Sequence, residues 1–291
     1  MTFTCPLTVN DLWAARNRDG GWGYGGGGSW TEPTVYALLV LAASGAKPAA
    51  PGRDLKWLLT SRRPDGGWSP RPSVELSTWT TALAVLVLAG EGRSEALDGG
   101  VRWLLKRTGR ESSFVSRLRN FLLSGKEAND AGISGWPWYP DTAAWVAPTA
   151  LTILALRKAQ RWYPGTELQD RIRAGRRFLL SRTCLDGGWN HGSTRALGYE
   201  VSSYPEMTGL ALLALQGAPA GTLGKSIDTA LRHLRSCRSA EGVAWLRLGL
   251  LAQGVRELPP LNGTPRCSNL VEACLVTLAQ AAAEGRNVFL G

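Results

Sequence analysis

Asp65-Gly66-Gly67-Trp68, with Trp79-Thr80-Thr81-Ala82-Leu83-Ala84-Val85-Leu86-Val87-Leu88-Ala89 behind it, is the stretch on which the fold turns. The tetrapeptide returns as Asp19-Gly20-Gly21-Trp22 and Asp186-Gly187-Gly188-Trp189, and Ser134-Gly135-Trp136 is a degenerate fourth copy. The step from residue 19 to residue 65 is a spacing that belongs to repeat architectures. Each full copy closes an apolar-periodic stretch, at residues 11–16, 54–62 and 172–182. The apolar run also recurs, opening with Glu32-Pro33-Thr34-Val35, Ala147-Pro148-Thr149-Ala150 and Glu206-Met207-Thr208-Gly209. A helix that is apolar all round is buried all round. Pro33 and Pro148 fall in a first turn, where proline is tolerated.

The unit is therefore an amphipathic helix, a Gly-Gly-Trp turn and a buried Ala/Leu helix. Counting such stretches predicts about eleven or twelve helices and little strand. Outer amphipathic and inner apolar helices in alternation predict an all-α (α/α)6 toroid around a central cavity, one domain over residues 1–291. In each turn, glycine permits the sharp bend, Asp receives nearby backbone amides and Trp covers helix ends.

Composition sets outer limits. The chain has 291 residues, 44% hydrophobic and 19% charged, as a globular protein with a large core requires. Only 2 His are present, which excludes a three-His metal site. A formal charge of +10 favours anionic partners without choosing among them. The basic run Arg157, Lys158, Arg161, Arg171, Arg173, Arg176, Arg177 and Arg182 reads as a solvated helix face or as a phosphate or membrane-surface contact. It lacks the aromatic interleaving of a nucleic-acid groove, so no nucleic acid is expected.

No run reaches the length of a membrane span, and residues 1–10 lack the features of a secretory signal. With an odd set of five cysteines (Cys5, Cys184, Cys237, Cys267, Cys274), reduced thiols and a cytoplasmic or membrane-peripheral location are expected. The least regular stretch, residues 109–141, carries a predicted helix at 114–123 and then a polar loop, either a lid or plain surface. Gly25-Gly26-Gly27-Gly28 lacks the Lys-Ser/Thr of a phosphate loop and reads as a turn at the cavity mouth. His191 reads as a turn residue, and His233 as an exposed residue of an amphipathic helix.

Asp-Gly-Gly-Trp after an amphipathic helix, followed by an apolar Pro-Thr/Ala-Leu helix, resembles the repeat of squalene cyclases and prenyltransferases. The likeness runs from Asp11 to about Ala283. It implies an α/α toroid with an apolar cavity and an isoprenoid or other apolar small molecule as partner. Two departures stand out: Ser61 and Ser181 replace the family's glutamine before the turn, and the chain is one toroid long.

Class II terpene cyclases of this family protonate an alkene with Asp-x-Asp-Asp just before an inner helix. That chemistry needs an unusually strong, anhydrous acid whose proton neighbouring polar groups hold in place, and aromatic faces around the cation. The motif is absent here. The resemblance places the acid instead at Glu206, then Asp141 or Glu32, with Trp30, Trp79, Trp138, Tyr139, Trp145 and Tyr204 lining the cavity. Glu32 and Glu206 also stand where a helix dipole favours a capping carboxylate. A non-catalytic ligand- or protein-binding toroid is the rival reading. A third is a divergent prenyltransferase. Arg266-Cys267-Ser268-Asn269-Leu270-Val271-Glu272-Ala273-Cys274 resembles the segment in which protein prenyltransferases bind zinc and diphosphate. It implies Glu272 and Cys274 as zinc ligands and Arg266 as a diphosphate contact, but no third ligand follows, so no cofactor is expected. Cys267 and Cys274 read equally well as core thiols.

Overall fold

The computed structural model of the chain describes residues 3, 5–45, 55–109, 133–193, 195–196, 199–259 and 266–290. Among them lie eleven helices: α1 (Val9–Ala14), α2 (Thr31–Ser44), α3 (Lys56–Thr60), α4 (Thr80–Glu91), α5 (Glu95–Leu105), α6 (Val146–Ala159), α7 (Thr166–Ser181), α8 (Pro205–Ala214), α9 (Gly224–Ser236), α10 (Ala240–Ala252) and α11 (Leu270–Ala283). A two-residue ladder, β1 (Arg195–Ala196) against β2 (Tyr199–Glu200), sits between α7 and α8. The helix expected at 114–123 and the loop after it lie outside the described residues, apart from residues 133–135.

Hydrophobic patterning sorts the helices into two layers. In α4, residues 80–89 are all buried, and α2, α6, α8 and α10 are nearly as apolar. These five and α11 pack in the order α2, α4, α6, α8, α10, α11, and α11 returns to α2, which closes the ring. Amphipathic helices line its outside: α1 and α3 against α2, α5 against α4 and α6, α7 against α6, and α9 against α8 and α10. On α5, Leu97, Val101 and Leu104 face inward while Glu95 and Arg102 face water.

One hydrogen-bond set recurs at every turn. The Trp68 indole donates to the Leu58 carbonyl (2.8 Å), and the Trp68 amide donates to the Thr81 hydroxyl (2.9 Å). Trp22 does the same with Leu12 and Thr34, and Trp189 with Leu179 and Thr208. Trp136 of the degenerate copy uses Leu104 and Thr149. All four indoles are buried. Asp65 accepts from the Gly67 amide, the Ser77 hydroxyl and the Trp103 indole, and Asp19 accepts from Gly21, Ser29 and Trp57. Gly20, Gly66 and Gly187 hold left-handed φ of 96°, 89° and 96°, so glycine is required there.

The third copy corrects the sequence reading of His233. Asp186 accepts from Gly188 and Ser203, but no indole completes the set. His233 is half-buried, its Nε2 2.7 Å from the Ser203 hydroxyl. Desolvation holds its imidazole below the ordinary value, partly offset by the Asp186 charge.

Four of the six inner N-termini are bonded to a neighbouring loop around the ring, while Ser239 and Asn269 cap α10 and α11 locally. None of α2, α4, α6 and α8 has a side-chain cap bond. Instead the Thr31 amide donates to Pro70, Trp79 to Trp138, Val146 to His191 and Leu270 to Tyr24, each in the loop before another inner helix. All these N-termini therefore share one mouth. The basic run serves the opposite end. Arg161 donates to the Ala89 carbonyl, Arg157 and Arg176 to Gln216, and Lys158 to Val288. Arg171 reaches Ser134 and Arg107 and lies over the Trp136 ring. Most of the run thus faces inner-helix carbonyls and turns rather than forming a solvated face.

The cysteine expectation is overturned at one pair. Phe3 bridges to Cys267, which lays the N-terminal segment along the entry to α11, and Cys5 and Cys267 form a disulfide across 262 residues. Cys237 and Cys274 are free thiols.

Thr81→Val keeps the volume but leaves the buried Trp68 amide unsatisfied, at a cost of about 1–3 kcal/mol. Thr142→Val, at an exposed threonine, is the control. Urea unfolding is expected to show a lowered midpoint for the first variant and none for the second.

Candidate active site

The shared mouth brings carboxylates together. Glu32, Glu206, Glu241 and Glu272 occupy the first turns of α2, α8, α10 and α11. Glu32 is only partly exposed and accepts a hydrogen bond from the Tyr24 hydroxyl. Desolvation pushes its carboxyl up to about 7, helped by the Glu241 charge and opposed by the Tyr24 hydrogen bond. Glu241 keeps solvent-accessible surface, yet desolvation also raises its carboxyl, with the Glu206 charge adding to the rise and the Trp245 indole hydrogen bond opposing it. Glu206 Oε1 lies beside Gly242 of α10, where an added Cβ would come within 3.1 Å of it. Among the described residues neither Glu32 nor Glu206 forms an ion pair.

An aromatic cluster lies one helical turn below the carboxylates. Tyr36 follows Glu32 by four residues, Trp245 follows Glu241 by four, and their rings meet edge-on at 6.3 Å. Phe289 of the C-terminal segment packs beneath Trp245 at 5.5 Å. α8 and α10 approach until their backbones touch: a Cβ on Gly209 would lie 2.2 Å from the Trp245 carbonyl carbon. Glycine there sets how near Glu206 comes to Glu241.

An aromatic arc rims the rest of the mouth. Trp30, Trp145 and Tyr204 precede α2, α6 and α8 as N-cap residues, and Trp79 precedes α4. Tyr24 packs on Trp30 (5.7 Å), Trp138 stands edge-on to Trp79 (4.9 Å), and His191 lies between Trp145 (6.4 Å) and Tyr204 (5.3 Å). Arg71 covers the Trp30 ring. Trp145, Tyr204 and Tyr139 are exposed. The structure thus brings together Glu32, Glu206, Trp30, Trp79, Trp138, Trp145 and Tyr204. It leaves Asp141 exposed on the turn closed by the Thr142 amide on Tyr139, in a left-handed backbone at φ 63°.

The zinc expectation does not fit the residues present. Glu272 accepts from the Ser268 amide and hydroxyl and from the Asn269 side chain, so it serves the entry to α11. Cys274 is fully buried, and burial pushes its thiol far up. Arg266 is exposed. Among the described residues no group of three or more His, Cys, Asp and Glu could hold a metal ion.

Sequence reasoning missed Tyr24, Tyr36, Glu241, Trp245 and Phe289. Glu241 had a readable signal: Ser239 caps an apolar run with a glutamate in its first turn, as Glu32 and Glu206 stand in theirs.

No family profile matches the chain. It is 27% identical over 248 residues to a drimenyl diphosphate synthase of Streptomyces showdoensis, covering 82% of this chain and 41% of that protein. A drimenyl diphosphate synthase of Streptantibioticus cattleyicolor is 41% identical over 63 residues, 21% of this chain and 12% of that one. Among solved structures, ent-copalyl diphosphate synthase from Streptomyces platensis superimposes with a TM-score of 0.55 at 18% identity, covering 88% of this chain and 50% of that chain. The type II terpene cyclase MstE from Scytonema, in complex with geranylgeranyl dihydroxybenzoate, gives 0.56 at 16% identity over 96% of each. The chain is a terpenoid-cyclase-like α/α toroid. The toroid spans about two fifths of the curated relative that it matches along most of its length. Among the described residues it has no helix long and apolar enough to cross a membrane.

Glu32 gives the toroid a pH dependence of defined sign. Its folded-state value of about 7 exceeds the ordinary 4.5, so the folded state binds the extra proton. That contribution is complete below about pH 4.5 and is lost as pH rises through 7. Thermal unfolding from pH 5 to 8 is expected to show wild type losing roughly 2 kcal/mol relative to Glu32→Gln, which cannot titrate.

Proposed function

We propose that the mouth is an acid-initiated cyclisation site for an isoprenoid. The observation that carries this reading is the Glu32 carboxyl, raised to about 7 at an aromatic-rimmed mouth and held by the Tyr24 hydroxyl. At neutral pH it is protonated in about half the molecules, so it can donate where an ordinary glutamate is already ionised. The Tyr24 hydrogen bond occupies one oxygen and leaves the other to carry the proton.

In this reading Glu32 gives its proton to the terminal carbon–carbon double bond of the substrate. The resulting tertiary cation is attacked by the next double bond, closing a ring. Faces of Trp30, Trp79, Trp138, Trp145 and Tyr204 stabilise the positive charge as it moves. Loss of a proton from the last cation, to Glu206 or Glu241, ends the sequence with no net change in composition. Asp141 takes no part, being exposed on its turn. The relatives' names point to a prenyl diphosphate as substrate class.

The absence of Asp-x-Asp-Asp favours a second reading, a toroid that binds an apolar ligand without turning it over.

Incubation with farnesyl diphosphate, geranylgeranyl diphosphate and squalene, followed by gas chromatography–mass spectrometry, separates the two. The cyclase reading expects a cyclic product from at least one substrate, falling at least 100-fold in Glu32→Gln and about 10-fold or more in Tyr24→Phe. A product unaffected by Glu32→Gln moves the acid to Glu206 or Glu241. No product from any substrate, with binding retained, favours the binding toroid.

A further inference from the structure

At the end of the ring away from the carboxylates lies a groove of about 660 Å³ between the C-terminal halves of α10 and α11. That volume is in the range of small-molecule sites. Its polar donors include Arg247, Arg256, Gln216 and Asn287, and its apolar wall is built by Leu251, Leu258 and Leu290.

Arg247 is out of keeping with its surroundings. The other half-buried guanidiniums of this region have acceptors: Arg157 and Arg176 hold the Gln216 carbonyl, and Arg171 holds Ser134 and Arg107. Arg247 is half-buried on α10 and has no hydrogen bond, ion pair or aromatic ring among the described residues. Desolvation depresses its pKa. A cation taken partly from water without a partner is costly, and such groups are normally paired.

The rest of the groove repeats the pattern. Arg256 is exposed and also has no partner among the described residues. Arg157 holds the Gln216 side-chain oxygen (3.1 Å), which leaves the Gln216 NH₂ as a donor. The one carboxylate on the lining, Glu284, is paired with Arg286 at 2.5 Å. Two unpaired guanidiniums match the charge of a phosphate monoester, and their donor forks match its oxygens.

We propose that this groove binds an anionic amphiphile, its phosphate head held by Arg247 and Arg256 and its alkyl or prenyl chain lying on Leu251, Leu258 and Leu290. The site is separate from the carboxylate mouth. Arg247 follows Glu241 by six residues, about 9 Å along α10, and the groove extends from there toward the far end.

The test uses the full chain and dodecyl phosphate below its micelle concentration, followed by calorimetry and by the Arg247 Nε–H resonance in NMR. Wild type is expected to bind it at least 10-fold more tightly than either dodecanol or inorganic phosphate, with the Arg247 resonance shifting. Arg247→Gln and Arg256→Gln are each expected to weaken binding 10-fold or more. Glu32→Gln is expected to bind as wild type, so loss of cyclase activity and loss of groove binding are read separately. A parallel arm uses phosphatidylcholine vesicles with and without phosphatidate. Arg247-dependent binding of free dodecyl phosphate alone assigns a soluble amphiphile, and Arg247-dependent binding to phosphatidate vesicles assigns a lipid head group. Circular dichroism melting of each variant guards against misfolding, with Arg247→Lys as a second variant that keeps the charge. Absence of binding in both arms, or binding that Arg247→Gln and Arg256→Gln leave unchanged in well-folded protein, overturns the proposal.

Discussion

A buried indole N–H must find an acceptor, and in this chain that requirement joins the two layers of the ring. The Trp68 indole takes the Leu58 carbonyl at the end of α3, while its backbone amide takes Thr81 in the first turn of α4. One residue thereby fixes where an outer helix stops, where an inner helix starts and how far apart they lie. Leaving either donor unpaired in the core would cost roughly 1–3 kcal/mol, which is large against the stability of a domain. The same arrangement at Trp22, Trp136 and Trp189 repeats the joint around the ring. The glycines beside Trp22, Trp68 and Trp189 and the buried threonines follow from it as geometric necessities.

Because every joint delivers its inner helix in the same sense, the inner N-termini converge. Their dipoles then favour negative charge at that mouth, while burial desolvates it. Glu32 shows the outcome: desolvation wins, and its carboxyl is held near 7 despite the Tyr24 hydrogen bond that favours the anion. Glu272 shows the opposite result. Four contacts from Ser268 and Asn269 spend its oxygens on the helix start. Residues of the same type at the same helix position thus become an acid candidate or a cap according to what surrounds them.

The same contrast explains what the sequence shows and hides. Buried tryptophans before all-apolar helices made the layers legible, and Glu32 and Glu206 were visible because they open two of those helices. α10 and α11 have no Gly-Gly-Trp turn before them, so Glu241 and Trp245 lay outside the recognised repeat. Tyr24 sat beside a glycine run that reads only as a turn, and its role depends on Leu270 bonding to its carbonyl from the far end of the chain. The Cys5–Cys267 bond spans 262 residues, and no local spacing encodes it. His233 was read as exposed because its neighbours Arg232 and Arg235 are polar, whereas the Asp186 turn supplies the partner that pulls it inward.

Parallel inner helices also oblige the far end to manage negative dipole ends and unpaired carbonyls. The basic run answers this requirement: Arg161 serves Ala89, Arg157 and Arg176 serve Gln216, and Lys158 serves Val288. A good part of the positive charge therefore belongs to the architecture and is not evidence for an anionic partner. That sharpens the meaning of the cations left over. Arg247 stands on the same side of the ring, partly withdrawn from water, yet forms no hydrogen bond or ion pair among the described residues. Where neighbouring arginines are consumed by structural duty, one that performs none is the residue to ask about a ligand.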